Sequence, residues 1–194
     1  MFTELRRRKT SASQRASVRI DTVQFVLVEL AEHDPRWASM FEAERSRILV
    51  ALGPLALSID HVGSTAVPLL AAKPTIDIAL TVTDSADEAS YVPALERCDF
   101  RFVLREPDWF QHRLLRREPC LVNLHVFTYG CSEVAQMIGF RDWLRDHDDD
   151  RALYEQAKRA LATRSWDVLQ DYADAKTSVV AEIKARAGLT VSPD

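Results

Sequence analysis

A short turn of small and hydroxyl-bearing residues is the part of the sequence best suited to chemistry. Gly63, Ser64 and Thr65 directly follow an apolar stretch, and Asp77 stands within the next one. Glycine lets the backbone approach an anion closely, and the hydroxyl and N–H groups that follow it can bind phosphate oxygens. A carboxylate on a strand offers the hard oxygen that Mg²⁺ prefers. The pattern therefore predicts a phosphate-binding turn beside a metal-binding aspartate.

Polar residues on a later apolar stretch strengthen this prediction. Asn123 and His125 are two residues apart, so they share one face of a predicted strand. Each polar residue alone has a structural explanation, since Asp77 can pair with Lys73. Asn123 and His125 can likewise hydrogen-bond to each other or to loops. Together with the turn, however, these side chains indicate a binding site.

Basic side chains supply the charge that a phosphate needs. Lys73 precedes Pro74 and is held extended, from where it can meet a phosphate or pair with an acid. Alternation puts Arg113 and Arg117 on one face of a predicted strand and Arg116 on the other. One face could neutralise a nucleotide, whereas an exposed edge strand would use the same charges to resist aggregation. We take Lys73 and Arg113 as the phosphate-binding candidates.

Strands and helices of mixed order must position these residues. Period-two alternation and β-branched runs predict strands, and apolar residues at helical spacing predict helices. The predicted strands are 22–28, largely buried, then 57–62, 75–82, 101–105, 112–117 and 121–128. The predicted helices are 35 to about 52, 84 or 85 to about 97, 132–145, 149 to about 163, and 166–187. This order predicts an α+β (mixed α/β) domain with a helical C-terminal part.

Composition narrows the class of protein. The 194 residues are 47% hydrophobic and 28% charged, the balance of one soluble globular domain. The sequence lacks an apolar stretch of membrane-spanning length and a secretory signal, so we expect a cytoplasmic protein with no membrane partner. Three cysteines without C-x-x-C spacing favour neither disulfides nor a zinc site. A net charge of -4 argues against nucleic acid as a partner.

The start of the chain differs in charge from the rest. Residues 1–19 carry six basic residues and one acid, so the remaining residues are strongly acidic on balance. Such a segment has too little apolar surface to offset the entropy of ordering. We therefore predict a disordered basic tail over residues 1–20 and a single domain over residues 21–190. A basic arm that contacts phosphate is the alternative to an inert, solvated extension.

The residues around the turn resemble the signature of a known family. Residues 60–68 read DHVGSTAVP and residues 70–78 read LAAKPTIDI, a long and specific match to the GrpB family. Further matching pieces are Asp34-Pro35-x-Trp37, LHV at 124–126, FRDWLR at 140–145, and Tyr172 with Lys176. The resemblance thus covers about residues 23–187. In some bacteria the domain of this family is fused to dephospho-CoA kinase.

The resemblance implies a nucleotidyltransferase-like fold, a mixed sheet flanked by helices. There, a Gly-Ser turn holds nucleotide phosphates and strand carboxylates hold a divalent metal. Gly63, Ser64 and Asp77 match this pattern. Ala79 stands where the second acid belongs, and His125 is the counterpart of the third. The implied ligands are a nucleoside triphosphate and Mg²⁺ or Mn²⁺.

Two functions follow from this reading. The first is a small-molecule nucleotidyl or phosphoryl transferase, with Asp77 and His125 as catalytic residues and metal ligands. Its nucleotide-binding residues would be Gly63, Ser64, Thr65, Lys73, Arg113 and Asn123. The second is a non-catalytic module for a nucleotide or CoA-like ligand, favoured by Ala79 because a two-metal site needs several carboxylates. A purely structural or partner-binding domain is the third alternative.

Overall fold

The computed structural model describes residues 26–118 and 121–189. The predicted basic tail, residues 21–25 of the predicted domain and Cys120 lie outside these residues. Among the described residues, no helix has the length and apolar character needed to cross a membrane. The elements are β1 (Val26–Leu27), α1 (Arg36–Leu52), β2 (Ser58–Val62), β3 (Ile76–Val82), α2 (Glu88–Glu96), β4 (Arg101–Glu106), β5 (His112–Arg117), β6 (Val122–Thr128), α3 (Ser132–Asp146), α4 (Asp148–Ala162), β7 (Ser165–Trp166), α5 (Leu169–Asp174) and α6 (Thr177–Arg186).

Five strands form one mixed sheet in the order β2-β3-β6-β5-β4. β3 and β6 lie parallel to each other, and the other neighbouring pairs of this sheet are antiparallel. A parallel pair needs a long crossover connection, which here contains α2 and the hairpin of β4 and β5. The predicted class, a mixed α/β domain with a mixed sheet flanked by helices, is confirmed.

One face of the sheet carries the main hydrophobic core. Alternate residues of β3 and β6, including Ile78 and Leu124, are fully buried against α1 and α2. Removing such apolar surface from water stabilises the fold by about 25 cal/mol per Å². The helices contribute Trp37, Ile48, Tyr91 and Leu95 to this cluster.

The opposite face is apolar over only part of its area. Val62, Ala79 and Phe127 pack there against Val134 of α3. On the same face, the side chains of Asp77 and His125 keep 28% and 21% of their exposure. Helix α3 therefore covers the apolar part of this face, and the polar part lies beside it.

Within the described residues, the first predicted strand is confirmed at Val26–Leu27, which pairs with β7 outside the main sheet. Its expected burial holds only in part, since Val28 is buried and Leu27 is 72% exposed. Residues 22–25 of this predicted strand lie outside the described residues.

Two predicted helices begin or end elsewhere. Helix α2 starts at Glu88, because Asp84 accepts a hydrogen bond from the N–H of Ala86 at 2.8 Å and forms a turn of its own. The predicted helix 166–187 is β7 followed by two helices. Trp166 belongs to the pair with β1, and its indole N–H donates to the carbonyl of Leu161. Both contacts favour a non-helical conformation at Trp166.

Residues 61–72, which we call the turn segment, connect β2 to the approach of β3. Side chains of α3 bind its backbone directly. Arg141 donates to the carbonyl of His61 at 2.8 Å. Arg145 donates to the carbonyl of Ala66 through two nitrogens, at 3.0 and 2.8 Å. These bonds provide partners for a carbonyl at the end of β2 and for one in the irregular stretch that follows it.

Helix α4 binds both backbone groups of Ala71. The carboxylate of Glu155 accepts from its N–H at 3.0 Å, and the ammonium of Lys158 donates to its carbonyl at 2.5 Å. Val67 and Leu70 of the turn segment pack into a small core with α3, α4 and α6. The C-terminal helices thus pack against the turn segment through both polar and apolar contacts.

Lys158 should make stability depend on pH. Its side chain is 2% exposed, and burial lowers its pKa to about 7, with the charge of Lys176 acting in the same direction. Between pH 7 and the ordinary lysine pKa of about 10.4, the unfolded chain holds a proton that the folded chain lacks. Stability therefore rises with pH across this window.

We expect Lys158→Met to lose this rise. Urea unfolding at about pH 7.5 and pH 9 should show the free energy of unfolding of the unchanged protein increasing by about 1–2 kcal/mol more than that of the variant. Lys184→Met, on α6, serves as the control and should follow the unchanged protein. Parallel pH profiles of Lys158→Met and the unchanged protein would contradict the prediction.

Candidate functional site

The register of the sheet brings the predicted site residues together. In the parallel pair, Asp77 lies opposite Asn123, and Ala79 lies opposite His125. Val62, the last residue of β2, lies opposite Asp77 on the other side. The chain leaves β2 at Gly63, so the predicted turn begins directly beside the aspartate.

Gly63 is required by its contact with Asp77. Its φ of 72° and ψ of -173° fall in a region that essentially only glycine adopts. A Cβ at this position would lie 2.5 Å from Oδ2 of Asp77. The sequence suggested that the backbone at Gly63 approaches an anion closely. In the structure it approaches the carboxylate of Asp77 in this way.

The two hydroxyl residues of the turn differ in accessibility. Ser64 is half-buried and begins a single 3₁₀ turn. Thr65 is 4% exposed, and its hydroxyl donates to the carbonyl of Thr75 at 2.9 Å. The same oxygen lies 3.1 Å from Nε2 of His61, which must then be the donor. The Thr65 hydroxyl is engaged inside the fold, whereas Ser64 is only partly buried as a residue.

Asp77 is held by neighbours that favour its ionised form. Nδ2 of Asn123 donates to Oδ1 at 2.8 Å, and the amide orientation is set because Arg116 donates to Oδ1 of Asn123 at 3.0 Å. Nε2 of His125 lies 3.8 Å from the same carboxylate oxygen. Burial alone would raise the pKa of Asp77, but His125 and Asn123 outweigh it and the pKa is lowered.

Lys73 and Lys176 add positive charge around Asp77. Burial lowers the pKa of Lys73, with Asp77 opposing this shift and Arg116 adding to it. Burial also lowers the pKa of Lys176, with Asp77 opposing and Lys73 adding. The ammonium of Lys176 also sits 4.6 Å from the ring centre of Tyr172. The two lysines and the aspartate therefore share one electrostatic environment.

A small cavity lies next to this cluster. Its volume is about 100 Å³. Asn123 borders the cavity and also contacts Asp77, which links the two. The hydroxyl of Thr75 is buried and has no hydrogen-bond partner in the part of the chain that the structure describes. The lining residues are Lys73, Thr75, Arg116, Arg117, Glu118, Leu121, Val122 and Asn123.

Arg113 does not belong to the site, which corrects the sequence-based assignment. It pairs with Val126 on the face that packs against α1 and α2, and it is 5% exposed. Its Nε donates to Glu88 at 2.6 Å. Arg116, on the other face, reaches Asn123 instead. Alternation separated the two arginines correctly, but only the pairing of β5 with β6 shows which one faces Asp77.

His112 is a neighbour of the site that spacing did not reveal. Its Nε2 lies 3.0 Å from Nδ1 of His125, and its ring stacks on that of His125. The contact crosses from β5 to β6 through a register that no local pattern carries. Lys176 was noted only as part of the resemblance, because it comes from a helix far along the chain.

The residues present fit one divalent cation better than two. Among the described residues, no group of three or more His, Cys, Asp or Glu side chains could hold a metal. Ala79 is fully buried in the apolar cluster with Val62 and Phe127, so hydrophobic packing fills the position of a second acid. Asp77 and His125 remain as a pair of candidate ligands. Mg²⁺ is commonly held by one or two carboxylates, with phosphates and water completing its shell.

The chain is similar to one protein family model, to several curated proteins and to a solved structure. The GrpB protein family model matches residues 27–186. A UPF0157 protein of Halalkalibacterium halodurans is 52% identical over 163 residues, which cover 84% of each chain. A dephospho-CoA kinase of Mycolicibacterium paratuberculosis is 32% identical over 164 residues, which cover 71% of this chain and 40% of that one. The crystal structure of conserved protein GrpB from Enterococcus faecalis has a TM-score of 0.71 at 26% identity, over 82% of this chain and 96% of that chain.

Gly63→Ala should destabilise the protein more than an alanine at another glycine of positive φ. Gly53 has a φ of 53° and no atom within 4 Å of an added Cβ, so Gly53→Ala reports backbone strain alone. We expect about 1–3 kcal/mol of strain in each variant, and a further loss at Gly63 from the contact with Asp77. Urea unfolding measures both. Equal losses would show that the carboxylate moves aside without cost.

Proposed function

The chain belongs to the GrpB family, and we propose that it binds the phosphate groups of a nucleotide together with one divalent cation. The observation that carries this proposal is the arrangement around Asp77. Its carboxylate and a nitrogen of His125 lie near several cationic side chains, of which Lys73, Arg116 and Arg117 border a small cavity. An anion and a cation bound together would satisfy both kinds of charge.

The case for phosphate rests on unsatisfied polar groups and on charge. Lys73 and Lys176 are partly withdrawn from water, which lowers the pKa of each amine and costs stability unless an anion approaches. Among the described residues, the buried hydroxyl of Thr75 has no hydrogen-bond partner. Phosphate oxygens accept strong hydrogen bonds from such groups. The hydroxyl of Ser64, which is only partly buried as a residue, would provide a further donor at the turn.

The case for a cation rests on two possible ligand atoms that lie close together. Oδ1 of Asp77 and Nε2 of His125 are 3.8 Å apart, and both are common metal-ligand atoms. Bound there, Mg²⁺ or Mn²⁺ would polarise the phosphate oxygens of the nucleotide. The single carboxylate is sufficient for one ion because nucleotide phosphates contribute the remaining negative charge.

A nucleotide is the phosphate compound favoured by the family's nucleotidyltransferase-like fold. Relatives named dephospho-CoA kinase, which this chain matches over 40% of their length in the example above, add a CoA-like ligand to those worth testing. Around Asp77, we assign no described residue to the base or to the acceptor group, and we propose contacts with the phosphates and the cation alone.

Transfer of a nucleotidyl or phosphoryl group is the second candidate function. His125 favours it, since an imidazole beside the phosphate site can serve as a general base. Buried Ala79 weighs against the two-metal form of this reaction, because the carboxylates that offset two cations are missing. A transferase of this kind would have to work with one cation.

Asp77→Asn should remove the cation dependence of nucleotide binding. Calorimetric titration with ATP, GTP, UTP, CTP and dephospho-CoA, each with Mg²⁺, Mn²⁺ or EDTA, should identify a ligand that binds the unchanged protein more tightly with a cation. The variant keeps the size of the side chain and loses the charge that the ion needs. Asp60→Asn is the matched control, because Asp60 lies opposite Ala79 on the neighbouring strand and its side chain makes no hydrogen bond among the described residues.

Three outcomes would contradict the proposal or extend it. Absence of binding by the whole panel, in calorimetry and in thermal unfolding, would contradict it, since a ligand at 100 times its dissociation constant stabilises by about 2.7 kcal/mol. Unchanged cation dependence in Asp77→Asn would remove the aspartate from the cation site. Product formed from the bound nucleotide, analysed by chromatography, would favour the transferase over the binding module.

A further inference from the structure

The hairpin between β4 and β5 carries two exposed aromatic side chains at its tip. Trp109 and Phe110 each keep 39% of their exposure. Their rings contact each other edge-on, with the ring centres 5.8 Å apart. A large apolar side chain left partly in water gives up some of the stabilisation that burial provides. We call Trp109 and Phe110 the aromatic pair.

The backbone at the hairpin tip has a conformation that does not suit the residues that occupy it. Phe110 and Gln111 both have a φ of 52°, in the left-handed region that favours glycine. The N–H of His112 donates to the carbonyl of Trp109 at 3.0 Å, which closes a turn over these two residues. Turns with positive φ at both central positions usually contain Asn-Gly or similar small residues. A bulky residue in such a strained position is a reason to look for a function.

Buried donors hold the hairpin tip in place. The hydroxyl of Ser85 and the guanidinium of Arg113 both donate to the carbonyl of Gln111, each at 2.8 Å. Ser85 is fully buried and Arg113 is 5% exposed, so both bonds lie away from water. A tip fixed in this way presents the aromatic pair in a defined position. Such preorganisation lowers the entropy that a ligand loses on binding.

The aromatic pair lies on the same face of the sheet as Asp77. The ring of Trp109 contacts the rings of His112 and Phe127, with the ring centres 5.0 and 5.8 Å apart. The ring of His112 in turn stacks on that of His125, with the ring centres 5.2 Å apart. Two ring contacts therefore connect Trp109 to His125, which lies beside Asp77.

The place of the aromatic pair suits the base of a nucleotide. The phosphates of a nucleotide bind charged groups, whereas its base offers flat π faces that stack on aromatic side chains. Because the sugar separates the base from the phosphates, an aromatic contact for the base must lie on the same face as the phosphate site and at some distance from it. The aromatic pair meets both conditions.

We propose that the aromatic pair binds the base of the nucleotide by stacking, while the phosphates lie near Asp77. This inference rests on the proposed function, because the place of the base is defined relative to the phosphate site. Stacking discriminates little among bases, since every base has a π face. The pair therefore adds affinity for nucleotides as a class.

Trp109→Leu removes the aromatic face and keeps an apolar side chain beside Phe127. Calorimetric titration with ATP and with inorganic tripolyphosphate, both with Mg²⁺, compares a ligand that has a base with one that lacks it. We expect the dissociation constant of ATP to increase about 5- to 150-fold, the range that base–aromatic stacking generally provides, and that of tripolyphosphate to stay unchanged. Trp143→Leu is the matched control and should leave both constants unchanged, because the ring of Trp143 stacks on His147, between α3 and α4.

Phe110→Asn combined with Gln111→Gly provides a second variant, which places a favoured pair of residues in the turn. The backbone carbonyl of residue 111 remains, so the bonds from Ser85 and Arg113 can still form. We expect a higher midpoint of thermal unfolding, because the strain is relieved, together with weaker binding of ATP. Unchanged or tighter ATP binding in this variant would remove Phe110 from the stacking contact.

The two ligands and adenosine separate this inference from the proposed function. Unchanged ATP affinity in Trp109→Leu would overturn the stacking contact, and binding of tripolyphosphate would then still support the phosphate site. An equal loss for ATP and tripolyphosphate would also overturn it, since the substitution would then act on the structure of the phosphate site. Binding of adenosine that Trp109→Leu abolishes, in a protein that binds no tripolyphosphate, would support the stacking contact and contradict the proposed phosphate site. Absence of binding by all three ligands would contradict both.

Discussion

The contact between Gly63 and the carboxylate of Asp77 constrains the rest of the site. The backbone passes so close to the carboxylate that a Cβ would collide with it, and the chain leaves β2 in a conformation that excludes other residues. This exit sends the turn segment across the end of the sheet instead of into a tight hairpin with β3. Two structural demands follow: the backbone groups of this segment need partners, and the carboxylate needs neighbours that stabilise its charge.

Both demands are met from distant parts of the chain. Arginines of α3, together with Glu155 and Lys158 of α4, bind the backbone of the turn segment. Asn123 and His125 reach the carboxylate from the adjacent parallel strand. This arrangement costs stability because it buries lysine side chains. Burial lowers the pKa of Lys73, Lys158 and Lys176. Charges withdrawn from water without a full partner are typical of sites that bind a charged ligand.

Local patterns in the sequence predicted the elements and part of the site. Alternation is a property of a single strand, so it placed Asn123 with His125 and separated Arg113 from Arg116. It could not choose between the two arginines, because that choice depends on how β5 pairs with β6. His112 was missed for the same reason, as was the short strand at Ser165–Trp166, which depends on pairing with β1. The resemblance supplied Tyr172 and Lys176, which no spacing connects to Asp77.

The contacts of α3 and α4 with the turn segment also affect how the chain folds during its synthesis. Chains are synthesised from the N-terminus, and the sheet is complete once residue 128 has emerged. At that stage the carbonyls of His61, Ala66 and Ala71 still await their side-chain partners, and Lys176 has not yet been added. The candidate site is thus completed last, by the final third of the chain. A ligand that binds only the finished site would draw the late helices into place, so its presence in the cell would favour completion of folding over arrest at the open sheet.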